Sequence, residues 1–217
     1  MSWKAVLFDF DGVIADSENH HVAAWQRTLS VMGWQLPDEV AALSAEVDDR
    51  EFLRRVFADR GIPTDKVGEW VRRKQALTVQ LLRDSPRLYP GVVPLIRHLE
   101  GKVRLAIVSD TWRENIQTVL DSAGLTAAFA TIVAKEDLTL AKPDPQSYLL
   151  ALKRLRRSPR SVVVIEDSPS GLEAARAAGI ARNVAVGHRR PFGDWAYGTT
   201  YLSGFEPVEG LLKHLGL

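Results

Sequence analysis

Apolar, β-rich runs recur along the chain at Ala5–Phe8, Val103–Val108, Thr131–Ala134, Ser161–Ile165 and Asn183–Val186. Beyond residue 88 the stretches between them carry helical spacing, and strand–helix alternation of this kind predicts a parallel sheet wrapped by helices. The punctuation agrees. Thr111-x-x-Glu114 has the form of a capping box, Ser168-Pro169 that of an N-cap followed by proline at the first helical position, and Gly124 and Gly179 that of C-terminal stops. In open sheets of this class ligands bind beyond the carboxyl ends of the strands, which is where Asp9, Ser109 and Asp167 fall.

Residues 17 to 87 break the alternation and read as several helices with no strand among them. Val22, Trp25, Leu29 and Met32 are spaced 3, 4, 3, and Asp49–Arg60 carries Phe52, Leu53, Val56 and Phe57 before Gly61. From Thr64 to Asp84 an apolar stripe runs through Val67, Trp70/Val71, Leu77 and Leu81, with Lys74 on the same face. The expected organisation is an α/β core, a Rossmann-like doubly wound parallel sheet made of residues 1–15 and 88–217, interrupted by an inserted α-helical cap at 16–87. No internal repeat or low-complexity tract is present.

Composition narrows the partners. The 217 residues are enough for a well-buried core plus a smaller insert. The net charge of +1, with 25% charged residues of both signs, gives no nucleic-acid footprint. There is no cysteine, so disulfides and thiolate metal sites are excluded and only oxygen-ligated metals remain to be considered. No apolar stretch reaches the roughly 18 residues of a membrane span, and no charged-then-apolar leader precedes the first strand. The expectation is a soluble, cytoplasmic protein with neither nucleic acid nor membrane as partner, a monomer by default.

The first strand ends in Asp9-Phe10-Asp11-Gly12. Two carboxylates leaving an apolar strand repel and lose hydration unless a cation sits between them. Asp-x-Asp-Gly alone would read as a turn with solvated acids, but the apolar strand before it asks for a metal and for chemistry. Glu166 and Asp167 repeat the arrangement at the end of Val162-Val-Val-Ile, where ordinary helix-initiating acids would explain one of the two but not both. Gly12 lets the backbone turn tightly. Lys142 opens Lys-Pro-Asp-Pro, in which Pro143 fixes the chain and Pro145 begins the next helix.

Asp9 through Ser17 resembles the first motif of the haloacid dehalogenase-like phosphotransferases, Asp-x-Asp-Gly-Val/Thr-x-x-Asp-Ser. Ser109, Lys142 and the Glu166–Asp167 pair follow in that family's order, so the resemblance covers essentially the whole chain. It implies Asp9 as the nucleophile that forms an aspartyl phosphate. Asp11 is then the acid and afterwards the base, with its backbone carbonyl a metal ligand. Ser109 donates to the phosphoryl group, and Lys142 bridges nucleophile and phosphoryl oxygen. Asp9, Asp11, Glu166 and Asp167 form the metal site, Glu166 directly or through water. Hard oxygen donors with room for water suit Mg²⁺. Asp110 departs from the small or amide residue expected after Ser109. A carboxylate beside bound phosphate is unfavourable, so it is expected to turn away and cap the following helix.

The position and helical character of the insert resemble the cap of the branch that includes β-phosphoglucomutase and many small-molecule phosphatases. His21, Trp25 and Lys74 resemble substrate contacts of that mutase, Lys74 as an inward cation that invites an anion. Where the mutase carries an arginine for the distal phosphate, this chain has Asp49, with Arg50 one position later. The sequence therefore points to a Mg²⁺-dependent phosphatase acting on a small phosphate ester, a sugar phosphate or similar metabolite, with a sugar phosphomutase as the alternative. A haloacid dehalogenase would leave Asp11 and the Asp167 pair without purpose. A binding protein on the same fold would be expected to have lost the nucleophile or the lysine.

Overall fold

A computed structural model describes residues 3–37, 40, 44, 47–188, 191, 193–196, 198–208 and 212. The chain divides into two compact units, Met1–Asp16 with Arg87–Leu217, and Ser17–Pro86.

The first unit is a six-stranded sheet in the order β3-β2-β1-β4-β5-β6. Its strands are β1 (Ala5–Phe8), β2 (Arg104–Val108), β3 (Phe129–Val133), β4 (Val162–Glu166), β5 (Asn183–Val186) and β6 (Thr200–Leu202), and every pairing is parallel. β1 sits centrally, Ala5 level with Arg104 on one side and Val162 on the other. Its four residues are all buried, as a strand covered on both faces requires. One face of the sheet packs Ala5, Leu7, Ala106, Val108, Val162 and Val164 against Tyr148, Ala151 and Leu152 of a helix at Gln146–Leu155 and Ala174 and Ala175 of another at Pro169–Ala177. On the other, Phe8 meets Phe129 edge-on with ring centroids 6.2 Å apart. β6 was not anticipated from the sequence, because three residues are too few to show a period.

In chain order the helices among the described residues are α1 (Glu18–Ser30), α2 (Asp49–Ala58), α3 (Val67–Asp84), α4 (Val92–Leu99), α5 (Arg113–Ser122), α6 (Gln146–Leu155) and α7 (Pro169–Ala177). Ser168 caps α7 by accepting from Gly171 N–H, with Pro169 in the first turn, and Gly124 and Gly179 take the left-handed conformation that ends their helices. The expected Thr111–Glu114 capping box does not form. α5 starts two residues after Thr111, its N-cap Trp112 has no side-chain acceptor, and the Glu136 carboxylate takes the Arg113 N–H instead.

The second unit contains α1, α2 and α3 and no strand among the described residues. Trp25 of α1 lies against Phe52 of α2 at 5.0 Å. Asp48 rather than a neighbour caps α2, accepting from Arg50 and Glu51 N–H. The buried stripe of α3 is Val67, Val71, Lys74, Thr78 and Leu82, with Val79 buried beside it. It runs one position beyond the expected Leu77 and Leu81, which are half-buried. The spacing 4, 3, 4, 4 follows the helical period with Lys74 inward as expected and Thr78 inward as well, the latter a residue that an apolarity rule passes over.

Candidate active site

The carboxyl ends of β1, β2 and β4 lie side by side because the three strands are adjacent and parallel. The residues just past those ends converge. Asp9 leaves β1 with its N–H on Ile165 O at 2.9 Å, which ties it to β4. Glu166 is the last residue of β4 and is wholly buried. Lys142, from the loop ahead of α6, places Nζ 2.5 Å from Asp9 Oδ1, 2.7 Å from Glu166 Oε1 and 3.0 Å from Val108 O. The Ser109 N–H is fixed by Val133 O, and Ser109 Oγ accepts from Thr111 N–H at 3.1 Å, which leaves its hydroxyl hydrogen to donate.

Asp9, Glu166 and Asp167 each present a carboxylate oxygen within 4.8 Å of the others. The Asp11 carboxylate is not in this group; the ligand expected of Asp11 was its backbone carbonyl. After Asp9 the chain doubles back, with Ile14 and Ala15 N–H both on Phe10 O and Gly12 at φ +80. Gly12 is required twice over. The positive φ favours glycine, and a β-carbon there would overlap the Asp167 carboxylate.

The charge balance of this cluster is uneven. Burial, reinforced by Glu166 and Asp167, pushes the Asp9 carboxyl well above its ordinary range against the opposing pull of Lys142. Burial alone would lower the Lys142 ammonium, but Asp9 and Glu166 outweigh it and hold it protonated. With all three carboxylates ionised against one ammonium, two negative charges would remain; the raised Asp9 pKa shows that the protein groups alone resist this, and a divalent cation held by oxygen ligands would offset it.

Asp110 does not turn away to cap α5. Its Oδ2 accepts from the Lys142 backbone N–H at 2.9 Å, so it braces the lysine loop. The departure from the expected residue type thus serves the lysine rather than the helix, and the sequence carried no signal of it. Tyr148 was likewise passed over, because at helical spacing with Ala151 and Leu152 it reads as ordinary core. Its hydroxyl donates to Glu166 Oε1 at 2.9 Å.

Within the second unit, three of the residues singled out from sequence come together. Lys74, only 1% exposed, places Nζ 2.9 Å from His21 Nδ1 and 5.4 Å from the centre of the Trp25 ring. The anion it was expected to invite is supplied by the unit itself: Asp49 Oδ1 and Oδ2 lie 2.9 and 3.2 Å from Nζ. Arg50 stands apart and exposed.

A family model described as haloacid dehalogenase-like hydrolase matches residues 3–179. The phosphorylated carbohydrates phosphatase of Thermotoga maritima is 32% identical over 190 residues, covering 85% of this chain and 86% of that protein. β-Phosphoglucomutase of Bacillus subtilis is 28% identical over 197 residues, 87% and 85% of the two chains. Among solved structures, CbbY from Rhodobacter sphaeroides in complex with phosphate superposes with a TM-score of 0.83 at 27% identity, covering 95% of this chain and 96% of that one.

Proposed function

The chain belongs to the haloacid dehalogenase-like hydrolases and is an enzyme acting on phosphate esters, and we propose that it is a Mg²⁺-dependent cytoplasmic phosphatase of a small phosphorylated sugar or similar metabolite. The observation that carries this reading is the Lys142 ammonium shared between Asp9 and Glu166 beside Asp167. That arrangement presents a nucleophile, a cation for the phosphoryl oxygens and an unbalanced pair of negative charges in one place.

In this mechanism Asp9 attacks phosphorus in line, forming an aspartyl phosphate while the ester oxygen leaves. Asp11, outside the acid cluster, protonates that oxygen and then takes the proton of the water that cleaves the phospho-enzyme. The Ser109 hydroxyl and the Lys142 ammonium bind phosphoryl oxygens and stabilise the charge that spreads over them in the transition state. Gly12 keeps the backbone close without a β-carbon. Asp9 and Asp167 would hold the Mg²⁺, which supplies compensation for the remaining negative charge.

Hydrolysis is favoured over mutase chemistry by the pairing of Lys74 with Asp49. A mutase must grip a second phosphate, and a lysine already neutralised by a carboxylate is a poor anchor for one. Its relative in Thermotoga maritima is named a phosphatase of phosphorylated carbohydrates, in keeping with this reading. The test is a panel of phosphorylated metabolites and an aryl phosphate with Mg²⁺. Turnover is expected to vanish with chelator and in Asp9→Asn, and to drop severely in Asp11→Asn. Supplied with β-glucose 1-phosphate and catalytic glucose 1,6-bisphosphate, the protein is expected to release inorganic phosphate or do nothing. Rapid formation of glucose 6-phosphate would overturn the assignment, and undiminished turnover by Asp9→Asn would overturn the mechanism.

A further inference from the structure

Glu166 is surrounded by donors. Oε1 accepts from Lys142 Nζ at 2.7 Å and Tyr148 OH at 2.9 Å, and Oε2 from Asp167 N–H at 3.1 Å, Ser168 N–H at 3.2 Å and Ser168 Oγ at 2.9 Å. A carboxylate offers about four lone-pair directions, so five donors saturate it. The seat is also cut to shape. α7 has Gly171 in its first turn, at a cost of about 1 kcal/mol in helix propensity, and a β-carbon there would overlap the Glu166 carboxylate. A glycine kept inside a helix to admit one buried carboxylate indicates that the place of that carboxylate matters.

We propose that Tyr148 is a positioning residue for phosphoryl transfer: it fixes Glu166, and through Glu166 it aims the Lys142 ammonium at Asp9. Tyr148 is buried, and Lys142 Nζ lies 5.3 Å above the centre of its ring. The ring thus closes one side of the lysine pocket while the hydroxyl locks its counter-ion. Without that donor Glu166 keeps four others and stays in place on average, but the oxygen facing Lys142 loses the bond that opposes sideways motion. Tethering of this kind acts on transition-state stabilisation rather than on substrate affinity, since an ammonium a few tenths of an ångström out of line still attracts a phosphate but no longer meets the charge that develops on it. Because Glu166 already accepts five hydrogen bonds, it is held firmly enough to hold the lysine in turn.

The inference rests on the phosphatase reading, and the experiment separates the two. With an aryl phosphate and Mg²⁺, Tyr148→Phe is expected to lower kcat about tenfold while KM and the Mg²⁺ concentration for half-maximal rate stay within about twofold. By calorimetry, vanadate, which imitates the transition state, should bind the variant about tenfold more weakly, and inorganic phosphate should bind it unchanged. A merely structural role would lower the thermal midpoint and leave kcat and the vanadate-to-phosphate ratio alone, and that result overturns the proposal. Gly171→Ala is the second arm: its β-carbon would push the Glu166 carboxylate from its seat, so in protein shown to be folded by its thermal midpoint it should lose at least as much kcat. Full activity in Gly171→Ala would equally overturn the proposal. If the unaltered protein neither hydrolyses the aryl phosphate nor binds vanadate, it is the phosphatase reading that fails.

Discussion

His188 should make the stability of the first unit depend on pH. Its ring stacks on Tyr89 with centroids 4.1 Å apart and planes within 4°, Phe205 closes the edge at 4.9 Å, and Nε2 is buried without a hydrogen-bond partner. Burial pushes its pKa from 6.5 down to about 4, against the opposing charge of Asp16. A histidine with a depressed pKa binds fewer protons folded than unfolded, so its contribution is fully present above the unfolded pKa and is lost as pH falls toward the folded one. Between pH 7 and pH 5 those two values give about 1.8 kcal/mol at full weight. The ring is only half-buried, and solvent screening brings this to about 1 kcal/mol. His188→Phe keeps the stack and removes the titration. Urea unfolding of both proteins at pH 7 and pH 5 reads the effect: the stability of the natural protein relative to the variant should fall by about 1 kcal/mol on acidification. Equal pH dependence in the two would refute the argument.

Lys74→Ala strands the nearly buried Asp49 carboxylate and should cost about 3 kcal/mol in urea unfolding, whereas the double replacement Lys74→Met with Asp49→Asn, which removes both charges, should recover most of that loss. Gly12→Ala should cost about 1 kcal/mol of stability for its positive φ but should weaken Mg²⁺ binding, measured by calorimetry, at least tenfold by displacing Asp167. Unaltered Mg²⁺ affinity would place the metal away from Asp167.

The strands β1 to β5 were legible because a parallel sheet buried on both faces writes itself as unbroken apolar runs. The same burial explains why the acids at their ends stood out. A charge at the end of an apolar run is rare, and Asp9, Glu166 and Asp167 stood out by that contrast, whereas Lys142 stood out only through the Lys-Pro-Asp-Pro motif it opens. What was not legible was who partners whom. Asp110 was expected at a helix cap and instead holds the Lys142 backbone, and Thr111 and Glu114 were expected to form a capping box, whereas the Arg113 N–H goes to Glu136. Both outcomes depend on contacts between residues far apart in the chain. Tyr148 was invisible for a different reason: its ring does what any core residue does, and only its hydroxyl is special.

The two units treat buried charge in opposite ways, and the difference bears on the reaction. In the first, Asp9, Glu166 and Asp167 face a single lysine, so the site is left short of positive charge, which a divalent cation would supply. In the second, Lys74 and Asp49 cancel one another, with His21 as a further neighbour of the ammonium. An ion pair that satisfies itself exerts little pull on an anion, because capturing a phosphate there would require the lysine to give up a carboxylate at 2.9 Å for a charge of the same sign. At Lys74 the second unit presents a cation that is already paired, which does not favour a second phosphate on the substrate. A sugar monophosphate should therefore be turned over with a higher kcat/KM than the bisphosphate of the same sugar. The Asp49→Asn variant, which frees the ammonium, should narrow that gap, and a gap unchanged by the substitution would exclude this pair from substrate selection.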